Sequence, residues 1–211
     1  MNILIISGGK PPSTELLKKE VEKCDYIICA DSGANCLYEN GIFPNMILGD
    51  FDSIKYEVLN SFKNAKCKIV TFPREKDFTD SEMAIEEGIK IGGDNLILLG
   101  FTGSRMDHML GNLGLLNKCL KKGVKAVIKD ENNEICIFDK SFKIEGEKKS
   151  IFSLQAYCDE VENLTIEGGK YPLNNYNLKL GDSRTVSNEF LDGQVNVSFS
   201  KGKVLLILSK D

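Results

Sequence analysis

Two short acidic clusters contain the residue types best suited to chemistry in this chain. Asp50-Phe51-Asp52-Ser53 follows the apolar run Met46-Ile47-Leu48, and Asp77-Phe78-Thr79-Asp80 follows a second apolar run at 68–72. The carboxyl ends of strands in an open α/β sheet form the crevice where ligands bind. Carboxylates gathered there repel one another unless a cation offsets their charge, and such oxygen ligands suit Mg²⁺ held with substrate phosphates. The clusters therefore predict a Mg²⁺–nucleotide site, although Asp, Ser and Thr are also common in ordinary turns.

The second cluster also has a purely structural interpretation. Thr79-Asp80-Ser81-Glu82 matches a capping box, in which the Thr79 hydroxyl caps a helix and Glu82 reaches back to the backbone. Asp80 would then lie in the first helical turn, where the helix dipole favours a negative charge. This alternative accounts for Asp80 but leaves Asp77 and the first cluster unexplained.

The segment Ser104-Arg105-Met106-Asp107-His108 contains a group suited to phosphate binding. A guanidinium donates paired hydrogen bonds to phosphate oxygens, and Arg105 closely follows the glycine-bearing stretch Gly100-Phe101-Thr102-Gly103. A helix start is the structural alternative, with Ser104 as its cap and Asp107 three residues later. His108 is the only histidine, and both a chemical role and a plain surface position stay open.

Two further turns contain glycine and follow the first two predicted strands. They are Ser7-Gly8-Gly9-Lys10 and Asp31-Ser32-Gly33-Ala34-Asn35. Backbone amides of such turns can bind phosphate where a helix begins. Neither turn matches G-x-G-x-x-G, and no P-loop motif occurs in the chain. A nucleotide bound here is therefore not held by a P-loop or by a dinucleotide-binding fold.

The secondary-structure pattern divides the chain near residue 130. Strands are predicted at 3–6, 26–30, 46–48, 68–72, 96–99 and 126–129, and helices begin near Thr14, Ala34, Ser53, Thr79 and Ser104. This alternation predicts an α/β domain at residues 1–130, with a parallel sheet and helices on both of its faces. Residues 131–211 predict a small antiparallel β-sandwich domain, with strands at 135–138, 149–155, 161–166, 185–187, 194–200 and 203–208. Lys201-Gly202 predicts a tight hairpin between the last two strands.

Composition and charge limit the possible classes of protein. The chain has 211 residues, 42% of them hydrophobic and 27% charged, with a net charge of −4. The negative charge and the lack of basic runs disfavour nucleic-acid binding. No apolar stretch is long enough to span a membrane, and the N-terminus lacks a signal-peptide pattern, so a cytoplasmic location is expected. The 7 cysteines form no C-x-x-C pair, which predicts reduced thiols and no zinc site.

The ordered motifs resemble those of the thiamine pyrophosphokinase family. The resemblance comprises the Asp31–Asn35 turn, both acidic clusters, Gly103-Ser104-Arg105-Met106-Asp107-His108, Gly169-Lys170-Tyr171-Pro172-Leu173 and Val186-Ser187-Asn188-Glu189, so it spans nearly the whole chain. It implies an N-terminal α/β catalytic domain, a C-terminal β-sandwich for thiamine binding and dimerisation, and a homodimer with active sites between subunits. It also implies the reaction, in which ATP and thiamine give thiamine diphosphate and AMP.

The resemblance implies roles for individual residues. Mg²⁺ would be held by Asp50, Asp52 and Asp80, with Asp77 as a helper at the metal. Arg105 would steady the phosphate charge as the bond to AMP breaks, and Asp107 would orient the nucleotide or the attacking hydroxyl. ATP, the co-substrate, would be bound by Asp31, Ser32, Gly33, Asn35, Thr102, Gly103, Ser104 and His108. Thiamine would be bound by Tyr171, Ser187 and Asn188. Some family members have Trp where this chain has Tyr171, and Tyr attracts a cationic ring more weakly than Trp does.

Two alternatives to this function stay open. The chain could be another Mg²⁺-dependent kinase for a small alcohol, which would release ADP where the first reaction releases AMP. It could also be a non-catalytic module that binds nucleotide or thiamine. A module of that kind would not need carboxylates at several strand ends.

Overall fold

The computed structural model describes residues 1–65, 67–73, 75 and 77–210. The chain forms two compact units, Met1–Glu131 and Asn132–Asp211. Among the described residues, no helix is both long and apolar enough to cross a membrane. The seven cysteines are free thiols, in agreement with the sequence.

The first unit is a parallel sheet with the strand order β6-β5-β1-β2-β3-β4, and helices connect its strands. Its elements are β1 Asn2–Ile6, α1 Thr14–Val21, β2 Tyr26–Ala30, α2 Gly33–Glu39, β3 Met46–Gly49, α3 Tyr56–Asn64, β4 Lys68–Thr71, α4 Asp80–Lys90, β5 Asn95–Leu99, α5 Met106–Lys121 and β6 Lys125–Lys129. Their alternation confirms the predicted α/β class. The central strands are apolar on both faces because both faces are covered by helices.

Alternate residues of β1 pack against different helices. Leu4 and Ile6 belong to a core cluster that includes Leu17 of α1, Leu37 of α2 and Phe62 of α3. Ile3 and Ile5 lie on the opposite face, where their side chains approach Gly88 of α4 so closely that an added Cβ would lie 3.7 and 3.5 Å from them. Helices therefore cover both faces of the sheet, as predicted.

The second unit consists of two packed antiparallel sheets. Its strands are β7 Asn133–Phe138, β8 Phe142–Glu145, β9 Ile151–Ala156, β10 Glu160–Glu167, β11 Leu173–Lys179, β12 Asn188–Glu189, β13 Gln194–Ser198 and β14 Val204–Ser209. One sheet has the order β12-β9-β14-β7 and the other β11-β10-β13-β8. Leu154 and Leu206 of the first sheet share one core with Val161 and Val197 of the second. This arrangement confirms the predicted sandwich.

The predicted hairpin at Lys201-Gly202 is wrong. Strand β13 pairs with β10 and β8, whereas β14 pairs with β7 and β9, so the two strands lie in different sheets. Ser200 N donates to Glu162 O at 3.0 Å, which keeps the chain beside β10 after β13 has ended. Gly202 then takes a φ of +113°, and a Cβ there would lie 2.9 Å from Glu160 O. The glycine thus serves a crossover between sheets, and not a two-residue turn.

Three further expectations for the second unit differ from the structure. Strands β8 and β11 were not predicted, because β8 is short and β11, with the sequence LNNYNLK, is rich in asparagine, which disfavours strands. The predicted strand at 185–187 is absent, and the short strand β12 follows it at Asn188–Glu189. Ser187 has a φ of 57°, a left-handed conformation that ends any extended pairing before β12.

Candidate active site

A cavity of about 880 Å³ lies in the first unit. Its lining comes from the loops that follow β1, β2, β3 and β5, from the start of α4 and from the N-terminal part of α5. The predicted site residues that line it are Asp31, Ser32, Asp50, Asp80, Thr102, Gly103, Ser104, Arg105 and His108. Because these strands are parallel, their carboxyl ends meet at one edge and bring distant sequence segments together.

The ends of β2 and β3 approach each other because Gly49 has no side chain. A Cβ on Gly49 would lie 3.3 Å from Cβ of Asp31, and Asp31 N donates to Leu48 O at 2.9 Å. Asp31 and Phe51 have left-handed φ angles of 46° and 63°. Phe51 packs against the apolar core, so the flanking Asp50 and Asp52 stay near Asp31.

Asp31, Asp50 and Asp52 form an acidic cluster, in which one carboxylate oxygen of each lies within 4.8 Å of the others. Oδ2 of Asp31 accepts a hydrogen bond from the Ser53 hydroxyl. Its Oδ1 is buried without a hydrogen-bond partner among the described residues. Burial raises the pKa of Asp31, and the charges of Asp80 and Asp50 raise it further, against hydrogen bonds from Ser53 and the Ser32 backbone. This donor set fits a hard divalent cation such as Mg²⁺.

The position of Asp31 in this cluster was not anticipated. The sequence pattern associated Asp31 with the nucleotide, because it begins a glycine-bearing turn. The sequence does contain a signal for this position, because Asp31 directly follows the buried strand β2 just as Asp50 and Asp52 follow the neighbouring strand β3.

The start of α4 confirms part of the predicted capping box. The Thr79 side chain accepts from Glu82 N at 3.2 Å, and Asp80 lies in the first turn while also lining the cavity. The Glu82 carboxylate is paired with Lys118 Nζ at 2.6 Å, which is an interaction between α4 and α5. Lys118 also lies 5.8 Å from the centre of the Phe78 ring. The cap and this lysine together hold the segment that carries Asp80, while Asp77 is exposed and outside the cavity lining.

Arg105 and Asp107 form a two-bond ion pair at the start of α5. Arg105 Nε lies 3.1 Å from Oδ1 of Asp107, and its Nη2 lies 2.5 Å from Oδ2. The hydrogen bond from Arg105 lowers the pKa of Asp107 to about 2. The interpretation of Ser104 as the helix cap is wrong, because Arg105 is the capping position and no side chain caps this helix. Both Ser104 and Arg105 line the cavity and are exposed there, as is His108.

The α2 segment holds the cavity loops in place. Gly33 begins α2 where a Cβ would lie 2.7 Å from Ile6 O, so the close approach of this turn to β1 requires glycine. Asn35 accepts from Lys55 N at 3.3 Å and donates to Ser53 O at 3.4 Å. Gly33 and Asn35 do not line the cavity, and their observed contacts fix the loops after β1 and β3.

The predicted thiamine-binding residues lie in the second unit, where Asn188 contacts Tyr171. The Asn188 side chain is buried; its Oδ1 accepts from Tyr171 N at 3.0 Å and its Nδ2 donates to Tyr171 O at 2.8 Å. Tyr171 is 55% exposed, and Lys170 Nζ lies 5.4 Å from the centre of its ring. Ser187 is exposed, and its backbone donates to Ser153 Oγ at 3.0 Å. Asn188 therefore holds the backbone that presents the Tyr171 ring.

Comparisons with known proteins cover both units of the chain. The family model for the thiamin pyrophosphokinase catalytic domain matches residues 17–128, and the model for the thiamin pyrophosphokinase vitamin B1 binding domain matches residues 140–204. The chain belongs to the thiamine pyrophosphokinase family. Thiamine pyrophosphokinase from Bacillus subtilis (strain 168) is 33% identical over 211 residues, which is 99% of each chain.

Solved structures of this family resemble the whole chain. The crystal structure of thiamine pyrophosphokinase from Bacillus subtilis has a TM-score of 0.89 at 32% identity, with 100% of both chains covered. A thiamin pyrophosphokinase family protein from Enterococcus faecalis has a TM-score of 0.88 at 30% identity, also with 100% of both chains covered.

Proposed function

We infer that this chain is a thiamine diphosphokinase, which transfers the terminal pyrophosphoryl group of ATP to the hydroxyl of thiamine. The products are thiamine diphosphate and AMP. The observation that carries this conclusion is the match of both family domains, in order, together with full-length similarity to a thiamine pyrophosphokinase. The acidic cavity suits this chemistry, because phosphoryl transfer depends mainly on positioning and on neutralising charge.

The acidic residues are proposed to hold Mg²⁺. Asp50, Asp52 and Asp80 are the ligands that the sequence motifs imply, and Asp31 is added because it shares the acidic cluster with Asp50 and Asp52. Asp80 lies outside that cluster but lines the same cavity, where its charge raises the pKa of Asp31. The orphaned, buried Oδ1 of Asp31 supports this assignment, since a cation would satisfy it. Bound Mg²⁺ would supply charge neutralisation on the phosphate oxygens. Asp77, which is exposed and does not line the cavity, is proposed to assist from outside it.

The cavity loops are proposed to bind ATP. Arg105 would donate to the phosphate that leaves with AMP, and Asp107 would hold the guanidinium in position through the observed ion pair. The remaining nucleotide contacts are proposed at Ser32, Thr102, Gly103, Ser104 and His108, which line the cavity, with Gly33 and Asn35 supporting them.

Thiamine binding is proposed at the second unit. The exposed Tyr171 ring offers a π face to the cationic heterocycle, and Ser187 would donate a hydrogen bond from an exposed position. Asn188 would act through the Tyr171 backbone that it holds. We further propose that the chain works as a homodimer with active sites between subunits, on the basis of its family membership.

A single incubation tests the activity. Purified protein with Mg²⁺, ATP and thiamine should produce AMP and thiamine diphosphate in equal amounts, measured by nucleotide and thiamine chromatography. ADP in place of AMP would indicate the alternative kinase, and binding without turnover would indicate a non-catalytic module.

Two variants test the metal assignment. Asp52→Asn and Asp80→Asn each remove one charge at nearly constant volume, so activity should fall by orders of magnitude while the fold is kept. Asp139→Asn removes the same charge at an exposed position of the second unit and serves as the control. Near-normal turnover in both site variants would contradict the metal assignment.

The shared-site proposal has its own test. Tyr171→Ala should weaken thiamine binding by roughly 1–2 kcal/mol with little effect on ATP binding, because it removes only the stacking surface. In a verified heterodimer of Tyr171→Ala and Asp52→Asn chains, one intact site should be restored if each site draws on two subunits. Absence of recovery would mean that each chain works alone.

A further inference from the structure

Lys10 lines the cavity and belongs to the glycine turn that follows β1, and no role has yet been assigned to its side chain. The charged and titratable lining residues within the described part of the chain are Lys10, Asp31, Asp50, Asp80, Arg105 and His108. Only Lys10 and Arg105 carry a permanent positive charge at neutral pH. Arg105 is already bound by Asp107 through two hydrogen bonds. Lys10 is therefore the one lining cation among the described residues whose charge is not taken up by an ion pair.

The backbone around Lys10 is fixed against the loop that follows β5. Lys10 N donates to Thr102 O at 2.7 Å, and Gly9 N donates to Gly100 O at 2.9 Å. A Cβ on Gly9 would lie 2.3 Å from Thr102 O and 2.4 Å from Gly100 O, so this approach requires glycine. Pro11 follows Lys10 in the chain and restricts the backbone of Lys10 further. The lysine side chain thus extends from a rigid attachment point.

The strand order places Lys10 between the two groups that are proposed to act on ATP. Strand β1 lies between β5 and β2, so the loop after β1 lies between the loop leading to Arg105 and the loop that contains Asp31. A triphosphate that reaches from Arg105 to the acidic cluster would pass this position. MgATP keeps a net negative charge, and an ammonium group is a strong point-charge donor to phosphate oxygens.

Glu131 is a carboxylate close enough to Lys10 for the lysine charge to affect its pKa. Burial raises the pKa of Glu131, but hydrogen bonds from Ser13, together with the charge of Lys10, lower it overall. The carboxylate accepts from Ser13 N at 2.5 Å and forms no ion pair with Lys10 in the described structure. Glu131 therefore leaves the ammonium available to a ligand.

We propose that Lys10 binds the β- and γ-phosphates of ATP, the group that is transferred. This proposal rests on the function inferred above and adds a residue to its substrate-binding set. Arg105 is placed at the phosphate that leaves with AMP, and Lys10 acts on the phosphates beyond it. A lysine that is merely solvated at the cavity mouth would not distinguish ATP from AMP.

The test compares the affinities of ATP and AMP. Dissociation constants are measured by calorimetry with Mg²⁺ and without thiamine, so that no turnover occurs, for the wild type, Lys10→Met and Lys10→Arg. Loss of a charge-assisted contact should weaken ATP binding by about tenfold or more in Lys10→Met, with a change of less than about threefold for AMP. Lys10→Arg should restore most of the ATP affinity because it keeps the charge.

Controls separate binding from folding and from the inferred activity. Lys23→Met removes an exposed lysine outside the cavity lining and should leave both affinities unchanged. Thermal unfolding of each variant checks the fold, and Lys10→Gln is used where Lys10→Met is unstable. Equal losses for ATP and AMP, or no loss for ATP, would overturn the proposal. If the wild type makes no AMP from ATP and thiamine, the inferred activity fails, while the binding comparison still decides the role of Lys10.

Discussion

Asp31→Asn separates a metal-binding role of Asp31 from a role in nucleotide contact alone. Asparagine suits this site, because it tolerates the left-handed φ of 46° and its amide oxygen can still accept from the Ser53 hydroxyl. The substitution therefore removes one negative charge at nearly constant side-chain volume. Without metal, we expect the variant to be more stable than the wild type, since the carboxylates within 4.8 Å repel one another.

The size of this effect follows from the geometry. Two unit charges 4.8 Å apart repel by roughly 0.9 kcal/mol at the dielectric constant of water and roughly 3.5 kcal/mol at an effective value of 20. Asp52 is exposed and Asp31 is only partly buried, so solvent screening favours the lower figure. We expect a gain of about 1 kcal/mol in the free energy of unfolding, which is roughly 2–4 °C in Tm for a chain of this length.

The pH dependence of this gain has a definite sign. The folded-state pKa of Asp31 is raised, so its carboxyl group costs no stability below its unfolded-state pKa, and the cost grows as pH rises from that value to the folded-state pKa, above which it is complete. The Tm advantage of Asp31→Asn should be present at neutral pH and disappear as pH falls from the folded-state to the unfolded-state pKa.

The decisive assay is differential scanning calorimetry with and without Mg²⁺, in the absence of nucleotide. Mg²⁺ should raise the Tm of the wild type and of Asp139→Asn, and it should raise the Tm of Asp31→Asn much less. Turnover with ATP and thiamine should fall by orders of magnitude in Asp31→Asn alone. If Mg²⁺ raises the Tm of Asp31→Asn as much as that of the wild type, Asp31 does not bind the metal, and the prediction that it contacts the nucleotide is kept.

Three further substitutions test contacts that hold the sites in place. Thr79→Ala removes the cap on Glu82 N and should lower the free energy of unfolding in urea by about 1 kcal/mol, whereas Thr79→Ser should not. Gly9→Ala should weaken ATP binding, measured by calorimetry, because the added Cβ would force apart the loops that follow β1 and β5. In the control variant Gly111→Ala the added Cβ meets open space in α5, so the Tm should rise slightly. Equal ATP affinity of the two variants would contradict the argument that Gly9 holds these loops together. Asn188→Leu leaves N and O of Tyr171 without their side-chain partner, so it should lower the free energy of unfolding in urea by roughly 1–3 kcal/mol. It should also weaken thiamine binding. An unchanged thiamine affinity would show that Asn188 is not needed for substrate binding.

The fold of the first unit was predictable because its signals are local. Residues 3–6 of β1 are all apolar, which is typical of a strand covered on both faces, and polar turns separate each strand from the next helix. The helix starts were less accurate. Ser53 was expected to begin a helix, but its hydroxyl donates to Asp31 and α3 begins at Tyr56. Such a long-range bond depends on the pairing of strands, which local patterns do not contain.

The same reason explains which parts of the site were found. Each acidic motif was visible in the sequence, but the grouping of Asp31 with Asp50 required β2 to lie beside β3 and Gly49 to allow their ends to meet. Lys10 was only part of a weak glycine-turn motif, because its place in the cavity depends on the pairing of β1 with β5. Residue types therefore indicated the chemistry, and sheet order determined which residues share the site.

The acidic cluster is held together against forces that favour its separation. Its carboxylates repel one another, and Phe51 adopts a left-handed φ of 63° that is unfavourable for a bulky residue. Both costs are offset elsewhere: the Phe51 side chain packs against the core, and the Asp31 backbone is bonded to β3. A strained backbone conformation of this kind is kept only where the surrounding contacts hold it in place, and such conformations are common at ligand-binding sites. A cation bound by these carboxylates would relieve their mutual repulsion and would also neutralise the charge of the phosphates. The negative charge that destabilises the cluster without metal is therefore the same charge that would bind the cation needed for pyrophosphoryl transfer.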